Sequence, residues 1–522
     1  MHGNVFYDPG MNLSDIEFAQ IAALIHQHAV DEPTRIALIE SGHRISYAEL
    51  DAYMDRVASA LQRDGLQPGD AIAICAASTW AYGAVFLGAL RAGVVVAPLA
   101  PSSTAESLAR MVQDAQAKLL FVDASVEAIL GRIDLPTAQR VALDDSVGGK
   151  ALSSWLAPAG QQPQAVTLVP SHPFNIIYSS GTTGDPKGIV QSHGMRWGYA
   201  KRATTYEYGP RTVTLLSTPL YSNTTLVVFF PSLVGGATVV LMPKFEARGY
   251  LQLAQTHGVT HTMLVPVQYQ RLLALPDFDQ FNLSSFKHKF CTSAPFNPAL
   301  KGEVLKRWPG SLVEFYGMTE GGGSCILEAH LNPTKLHTVG KPAPGHDIRL
   351  IDDNGVEVAL GEAGEVVGRS LVMMNGYHGQ PEKTRDAEWY SPEGLRYMRT
   401  GDVGRFDADG FLTLFDRKKD MIITGGFNVY PSDLEAEMRQ HPAVYDVAVV
   451  GVPSEQWGET PVAFVVRKPG DETPAAAIKD WLNERVGKTQ RLAEVHFIDE
   501  LPRSAIGKVL KRELRDGLAA VR

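Results

Sequence analysis

The sequence predicts an α/β protein: a large, mainly parallel, helix-covered sheet, then a β-rich segment, then a smaller α+β unit. Three observations carry that reading. Apolar strand-like runs alternate with helical runs through the first half. From residue 348 the pattern turns to short strands separated by Gly, Asp and Asn. Beyond Asp416-Arg417-Lys418-Lys419-Asp420 a helix and strand pattern resumes. At roughly 150 residues per domain, a chain of 522 residues holds about two to four domains, the largest with a core that needs no staples.

The elements follow in order. Ser14-x-x-Glu17 and Ser46-x-x-Glu49 have the form of capping boxes, and each predicts a helix start. After the second, Leu50, Met54, Val57, Ala58 and Leu61 recur at helical spacing. A strand over Ala71–Cys75, a helix over Trp80–Arg91 and a strand over 94–99 make a βαβ unit. Further strands are expected at 119–123 and 176–178. The segments RLIDDNG, GEAGEVVG and GRFDADGFLTLFD supply the β-rich region. A third capping box, Ser432-x-x-Glu435, and a strand over 447–452 belong to the last unit.

Composition narrows the function classes. With 45% hydrophobic and 20% charged residues, disorder, collagen and coiled coil are excluded. Lys plus Arg number 48 against 57 Asp plus Glu, and the resulting charge of −9 argues against nucleic acid, which needs a basic face. The basic run at 508–515 reads as a solvated helix face. Cys75, Cys291 and Cys325 are far apart and odd in number, so neither a zinc cage nor a disulfide framework is indicated. The N-terminus lacks a basic segment followed by an apolar one, so no signal peptide is read and a reducing, cytoplasmic location is expected. Residues 71–90 and 212–243 carry no charge, but Ser78, Thr79 and Gly83 dilute the first and Pro219, Pro231 and Gly235-Gly236 interrupt the second. Both read as buried strands and helices, not membrane spans.

The most telling segment is Tyr178-Ser179-Ser180-Gly181-Thr182-Thr183-Gly184-Asp185-Pro186-Lys187-Gly188, which follows an apolar strand. Hydroxyls and unshielded backbone N–H groups are the donors an oligophosphate needs, and Lys187 adds positive charge. It is not a Walker A loop, since Pro186 stands where the second Gly belongs and Gly188 where Ser or Thr would be. Tyr316-Gly317-Met318-Thr319-Glu320 ends a strand over 312–315, offering an aromatic face, a hydroxyl and a carboxylate suited to a hard cation. Arg399-Thr400-Gly401-Asp402 puts a carboxylate in a turn, where it could accept from a ribose diol; alone it reads as an Asx turn. Lys508, behind Gly507 in Pro502–Lys508, alone reads as surface charge.

In this order and spacing the segments resemble the adenylate-forming superfamily, which comprises acyl- and aryl-CoA ligases, peptide-synthetase adenylation domains and firefly-type luciferases. The likeness runs from about Ser46 to Leu514. It implies a large N-terminal domain of stacked, mainly parallel sheets with a β-subdomain (1–418) and a small mobile α+β C-terminal lid (419–522), hinged at Lys419. It also implies ATP-phosphate contacts from Ser179, Ser180, Thr182, Thr183 and Lys187, adenine stacking on Tyr316 near Ser293-Ala294-Pro295, and a nucleotide contact from Gly317. Thr319 and Glu320 would serve the α-phosphate and Mg²⁺, Glu320 as the metal carboxylate; Asp402 would hold the ribose with help from Arg417. Lys508 would be the catalytic lysine of the first half-reaction, in which a carboxylate attacks the α-phosphorus of ATP and expels pyrophosphate. Gly425-Gly426-Phe427-Asn428 would then meet coenzyme A, with one cleft serving both steps by lid rotation.

Two positions depart from the family pattern. Ser222 replaces a His that lines the acid entrance in many relatives, and Ile506 replaces a small polar residue before Gly507. The spacing around Lys508 also resembles sites silenced by a lysine acetyltransferase, which predicts an acetylated, adenylation-dead fraction. For the acid, the pocket is expected to draw on Tyr221, Ser222, Phe230, Gly321 and Gly322, with Gly321-Gly322-Gly323 leaving room. The absence of a cation over 212–243 disfavours dicarboxylates, Arg196 being the one nearby candidate, so an aryl, arylpropenoic or medium-chain fatty acid is expected. A chain ending shortly after Lys508 favours a stand-alone acyl-CoA ligase, monomeric or homodimeric. The alternatives are a carrier-protein-directed adenylation enzyme, a luciferase-like oxygenase and a nucleotide-sensing module.

Overall fold

The βαβ pattern read from the sequence is present. A computed structural model describes residues 13–130, 138–146, 148–179, 187–425, 427–504 and 507–521, except for the side chains of 179 and 519–521. Internal packing divides the chain into two units. Unit 1 takes residues up to 336, 342–347 and 369–398; unit 2 takes 337–341, 348–368 and 399–522.

Unit 1 holds two sheets. In the first, the order is Gly376–Tyr377, Lys187–Ser192, Pro173–Ser179, Val95–Pro98, Ala71–Cys75, Ala117–Val122, Gln139–Ala142 and Lys150–Ala151. The pairs from Pro173–Ser179 onward are parallel, while Lys187–Ser192 turns back antiparallel on both its neighbours. In the second, Cys325–Glu328, Ser311–Tyr316, His288–Cys291, His261–Leu264, Val213–Leu216, Thr238–Leu241, Ile36–Glu40 and His43–Ser46 follow one another. Its central pairs are parallel and its outer two antiparallel.

One core joins these sheets. It takes Ile72, Ile74, Val96 and Phe121 from the first and Leu38, Leu216, Val239, Met263 and Phe290 from the second. Phe86 comes from helix Trp80–Arg91, and Phe229 and Phe230 from helix Asn223–Val234. Burial on all faces explains why 71–90 and 212–243 carry no charge. Among the described residues no helix is long and apolar enough to cross a membrane.

Unit 2 carries Leu412–Arg417 paired antiparallel with the later part of Arg396–Phe406, Asp402 opposite Arg417. A second sheet runs Phe427–Val429, Ile422–Thr424, Gly458–Arg467 and Val444–Ser454, with Glu494–Phe497 beside Gly458–Arg467. Helices Pro431–Met438 and Ala475–Asn483 cover one face of it with Leu434, Met438, Ile478 and Leu482, and Lys511–Val521 covers the other with Leu514 and Leu518.

Of the capping boxes only Ser46-x-x-Glu49 forms: Glu49 N donates to Ser46 Oγ at 3.2 Å and Ser46 N to Glu49 Oε2 at 2.8 Å. The Ser14 box does not, because Leu13–Asp15 is a single 3₁₀ turn and the first α-helix among the described residues starts later, at Ile21. Nor does the Ser432 box. Pro431 takes the first helical position, so Ser432 lies inside the turn and its hydroxyl donates to Phe415 O.

Candidate active site

In an open parallel sheet, loops at the carboxyl ends of adjacent strands converge. Here His288–Cys291 leads to Ser293-Ala294-Pro295, and its parallel neighbour Ser311–Tyr316 leads to Gly317–Glu320. Thr292 Oγ1 donates to Phe315 O at 2.8 Å, tying the two ends together. Ser293 has φ +82°, a conformation costly for a residue with a side chain, and its Oγ meets Thr224 Oγ1 at 2.5 Å. Thr224 lies in the first turn of helix Asn223–Val234, whose N-cap is Ser222, with Oγ accepting from Thr224 N at 3.3 Å. The serine in the family's histidine position is therefore engaged in starting a helix. Tyr221 is half-buried beside it, its hydroxyl pushed up to about 12 by burial.

The turn carrying Thr319 and Glu320 is held from several directions. Gln191 Nε2 donates to Thr319 O at 2.7 Å, and Met374 N to Glu320 O at 2.8 Å. Tyr377 Oη donates to Glu320 Oε1 at 2.8 Å. Lys187 opens strand Lys187–Ser192, with its Nζ 5.3 Å from the Tyr377 ring centroid. Ser180, Thr182 and Thr183 lie outside the described residues, as do the Ser179 side chain and Gly426.

Two expectations for the acid pocket change. Phe230 packs against Phe86, Phe174 and Phe229 with centroids 5.2–5.6 Å apart, so its ring belongs to the core. Arg196 is fully buried, donating through Nε to Asn175 at 2.8 Å and lying over Phe174 and Phe230; burial lowers its pKa to about 9. Gly321 has a backbone requirement of its own. It has φ +75°, and a Cβ there would stand 2.1 Å from Val372 O and 2.9 Å from Met195 Cε. Gly321→Ala should therefore push the Glu320 turn off its support. The expected result is a clear loss of thermal stability, about 1–3 kcal/mol, together with loss of whatever activity the Glu320 turn supports. An alanine variant with wild-type melting and activity would refute it.

Unit 2 gathers the remaining charged candidates. Arg417 Nε lies 3.3 Å from Asp402 Oδ1 across their strand pair. Lys508 feels Arg417, Lys419, Asp402 and Asp420; burial first, then the two cations, lowers its pKa to about 8. Its loop is closed by Ser504 N donating to Lys508 O at 2.8 Å and by Arg503 Nη1 donating to Gly507 O at 2.6 Å. Burial also lowers Lys419. Asp416 lies 3.7 Å from Lys511 Nζ, which pairs with Glu435 at 2.9 Å, and Arg515 pairs with Asp420. Gly425 has φ +58° and packs on Trp457, where a Cβ would stand 2.9 Å from the ring, and Phe427 is 64% exposed.

The AMP-binding enzyme family matches residues 25–378, and the AMP-binding enzyme C-terminal domain matches 433–508. The chain belongs to the AMP-binding enzyme family. It is 31% identical to the fatty acid–[acyl-carrier-protein] ligase ScoC of Streptomyces coeruleorubidus, over 94% of both chains. It is 32% identical to an indoleacetate–CoA ligase of Aromatoleum aromaticum, over 96% of this chain and 98% of that one. The ATP-bound crystal structure of MatB from Rhodopseudomonas palustris superposes with a TM-score of 0.84 at 30% identity, covering 96% of this chain and 99% of that one. This AMP-binding enzyme is therefore an adenylate-forming ligase of mixed α/β fold, as the sequence motifs implied.

Among the described residues no three His, Cys, Asp or Glu side chains cluster to hold a metal. Glu320 nonetheless fits Mg²⁺. Its Oε2 takes no hydrogen bond among the described residues, and Mg²⁺ is ordinarily bound by one or two carboxylates plus substrate phosphates. Bound there with the nucleotide, Mg²⁺ would supply charge neutralisation at the phosphates.

The sequence reading missed Gln191, Tyr377, Asn175 and Lys511. Asn175 and Gln191 are fully buried and joined by a 3.1 Å hydrogen bond, with Arg196 on the far side. A legible signal existed for this group, since Asn, Gln and Arg interrupt otherwise apolar strand and helix positions. Tyr377 and Lys511 carried none.

Proposed function

We propose that this AMP-binding enzyme activates an apolar carboxylic acid, aryl, arylpropenoic or medium-chain, as its acyl-adenylate and then transfers the acyl group to coenzyme A. The observation that carries this reading is the braced Thr319-Glu320 turn beside Ser293, at the carboxyl ends of parallel strands. Tyr316 stacks on the adenine near Ser293-Ala294-Pro295, and Gly317 contacts the nucleotide. Ser179, Ser180, Thr182, Thr183 and Lys187 hold the phosphates, and Thr319 donates to the α-phosphate. Asp402 takes the ribose hydroxyls and Arg417 assists. Lys508 brings positive charge to the α-phosphoryl group while the carboxylate attacks and pyrophosphate leaves, an electrostatic task. A lid from residue 419 onward carries it, with Lys419 as hinge, and Gly425, Gly426 and Phe427 meet the pantetheine arm. Acetylation of Lys508 by a lysine acetyltransferase would remove the charge the first step needs.

Tyr221, Ser222 and Gly322 flank the acid. Likeness to the indoleacetate–CoA ligase supports an aryl acid and coenzyme A. Likeness to ScoC favours a second reading, transfer to a carrier-protein thiol. Pyrophosphate release across aryl, arylpropenoic, fatty and dicarboxylic acids, each with and without coenzyme A, tests both. Sustained turnover that depends on coenzyme A with one apolar class is expected. A single burst that only a carrier protein relieves would move the assignment to the second reading, and turnover confined to dicarboxylates would overturn the substrate class.

A further inference from the structure

Residues 372–378 run between the two parts of unit 1 that this reading assigns to phosphates and to metal. On one side, Gly322 N donates to Val372 O at 3.0 Å, Gly321 bridges Met373, and Met374 N donates to Glu320 O at 2.8 Å. On the other, Asn375 N donates to Val190 O at 2.9 Å, Tyr377 pairs with Ile189, and His378 N donates to Gly188 O at 2.7 Å. The segment is thus hydrogen-bonded both to the Glu320 turn and to the strand that opens with Lys187. Its own fold is fixed by Tyr377 N donating to Thr384 Oγ1 at 2.9 Å, and by packing beside Ile189, Met374 and Met398.

Tyr377 is the one side chain of this segment that meets both charged groups. Its hydroxyl donates to Glu320 Oε1 at 2.8 Å, and the Lys187 ammonium lies 5.3 Å from its ring centroid. Lys187 and Glu320 themselves form no ion pair among the described residues. A closed ammonium–carboxylate pair would use up both charges. An aromatic face attracts a cation without neutralising it, and a phenol donor fixes one carboxylate oxygen while leaving the second.

We propose that Tyr377 is a positioning residue that holds Lys187 and Glu320 apart and in register, the lysine for the nucleotide phosphates and Glu320 Oε2 for the divalent cation they carry. The inference rests on the adenylation reading of Glu320. It assigns the ring and the hydroxyl separate tasks: the ring keeps the lysine off the carboxylate, and the hydroxyl sets the carboxylate's rotamer.

Two substitutions separate these tasks. Tyr377→Phe keeps the ring and removes the donor; Tyr377→Leu removes both. ATP affinity by calorimetry, with and without Mg²⁺, and the Mg²⁺ concentration for half-maximal pyrophosphate release are the readouts. Tyr377→Phe should weaken ATP binding about tenfold in the presence of Mg²⁺ and leave metal-free ATP binding unchanged. Tyr377→Leu should weaken both, because a freed Lys187 closes on Glu320. In a Glu320→Gln background, Tyr377→Phe should cost nothing more. Unchanged Mg²⁺-dependent binding in Tyr377→Phe, or an equal loss with Glu320 already replaced, would overturn the positioning role. Were Glu320→Gln itself to leave the Mg²⁺ dependence untouched, the metal reading of Glu320 would fall, and this inference with it.

Discussion

Lys508→Ala should lower acyl-adenylate formation by about 10²- to 10³-fold, the range seen when a preorganised charge or donor is removed from a developing anion. Thioester formation from supplied acyl-adenylate should stay largely intact, because the charge is needed only while pyrophosphate leaves. Single-turnover measurements of the two half-reactions check this, and equal loss in both would overturn the assignment. The environment of Lys508 adds a pH signature. Burial first, then Arg417 and Lys419, lowers its pKa to about 8. In the proposed role the protonated form is the active one, so the first half-reaction should be full below that value and fall with a one-proton slope as pH rises through it. Lys508→Arg, whose side chain stays charged throughout, should lose the alkaline fall even where it slows the reaction. A flat profile up to pH 9 in the native enzyme would refute the role of the lowered lysine.

Glu314→Ala should destabilise the protein by about 3–5 kcal/mol, the cost of stranding a buried charge. Lys301 and Glu314 are paired with side chains only 2% and 6% exposed, and Lys301 Nζ also donates to Leu336 O at 2.8 Å. Burial raises the Glu314 pKa and its ion-pair partner Lys301 opposes that rise. Glu314 lies two residues before Tyr316 on the same strand, so its loss should also loosen the end of the strand that carries the residue proposed to stack on the adenine. Replacing both, Lys301→Met with Glu314→Leu, should recover most of the stability, since a buried pair and a well-packed apolar pair are often nearly equivalent. Urea unfolding of the three variants checks this. A loss below about 1 kcal/mol in Glu314→Ala would show that water reaches the pair.

Much of the fold was legible because its signals are local. Strand Ala71–Cys75 and helix Trp80–Arg91 follow from continuous apolar runs, and the Ser46 box from side chains three residues apart. The Ser432 box had the same local form and failed, because Pro431 fixed the helix start two residues earlier and the serine found the Phe415 carbonyl on strand Leu412–Arg417. Phe230 had the composition of a pocket residue; its place in the aromatic core depended on Phe86 and Phe174, far away in the chain.

The α/β class, the family and the chemistry-bearing motifs are readable from the residues alone. Those signals lie in spacing and residue type, which a strand-and-loop pattern expresses without knowledge of distant neighbours. Which groups support the motifs is a matter of packing: Gln191 on Thr319, Tyr377 on Glu320, Val372 under Gly321, Lys511 beside Asp416. Each of these contacts joins residues more than fifty positions apart. No periodicity records such a pairing, because it is created when separate strands and loops pack together.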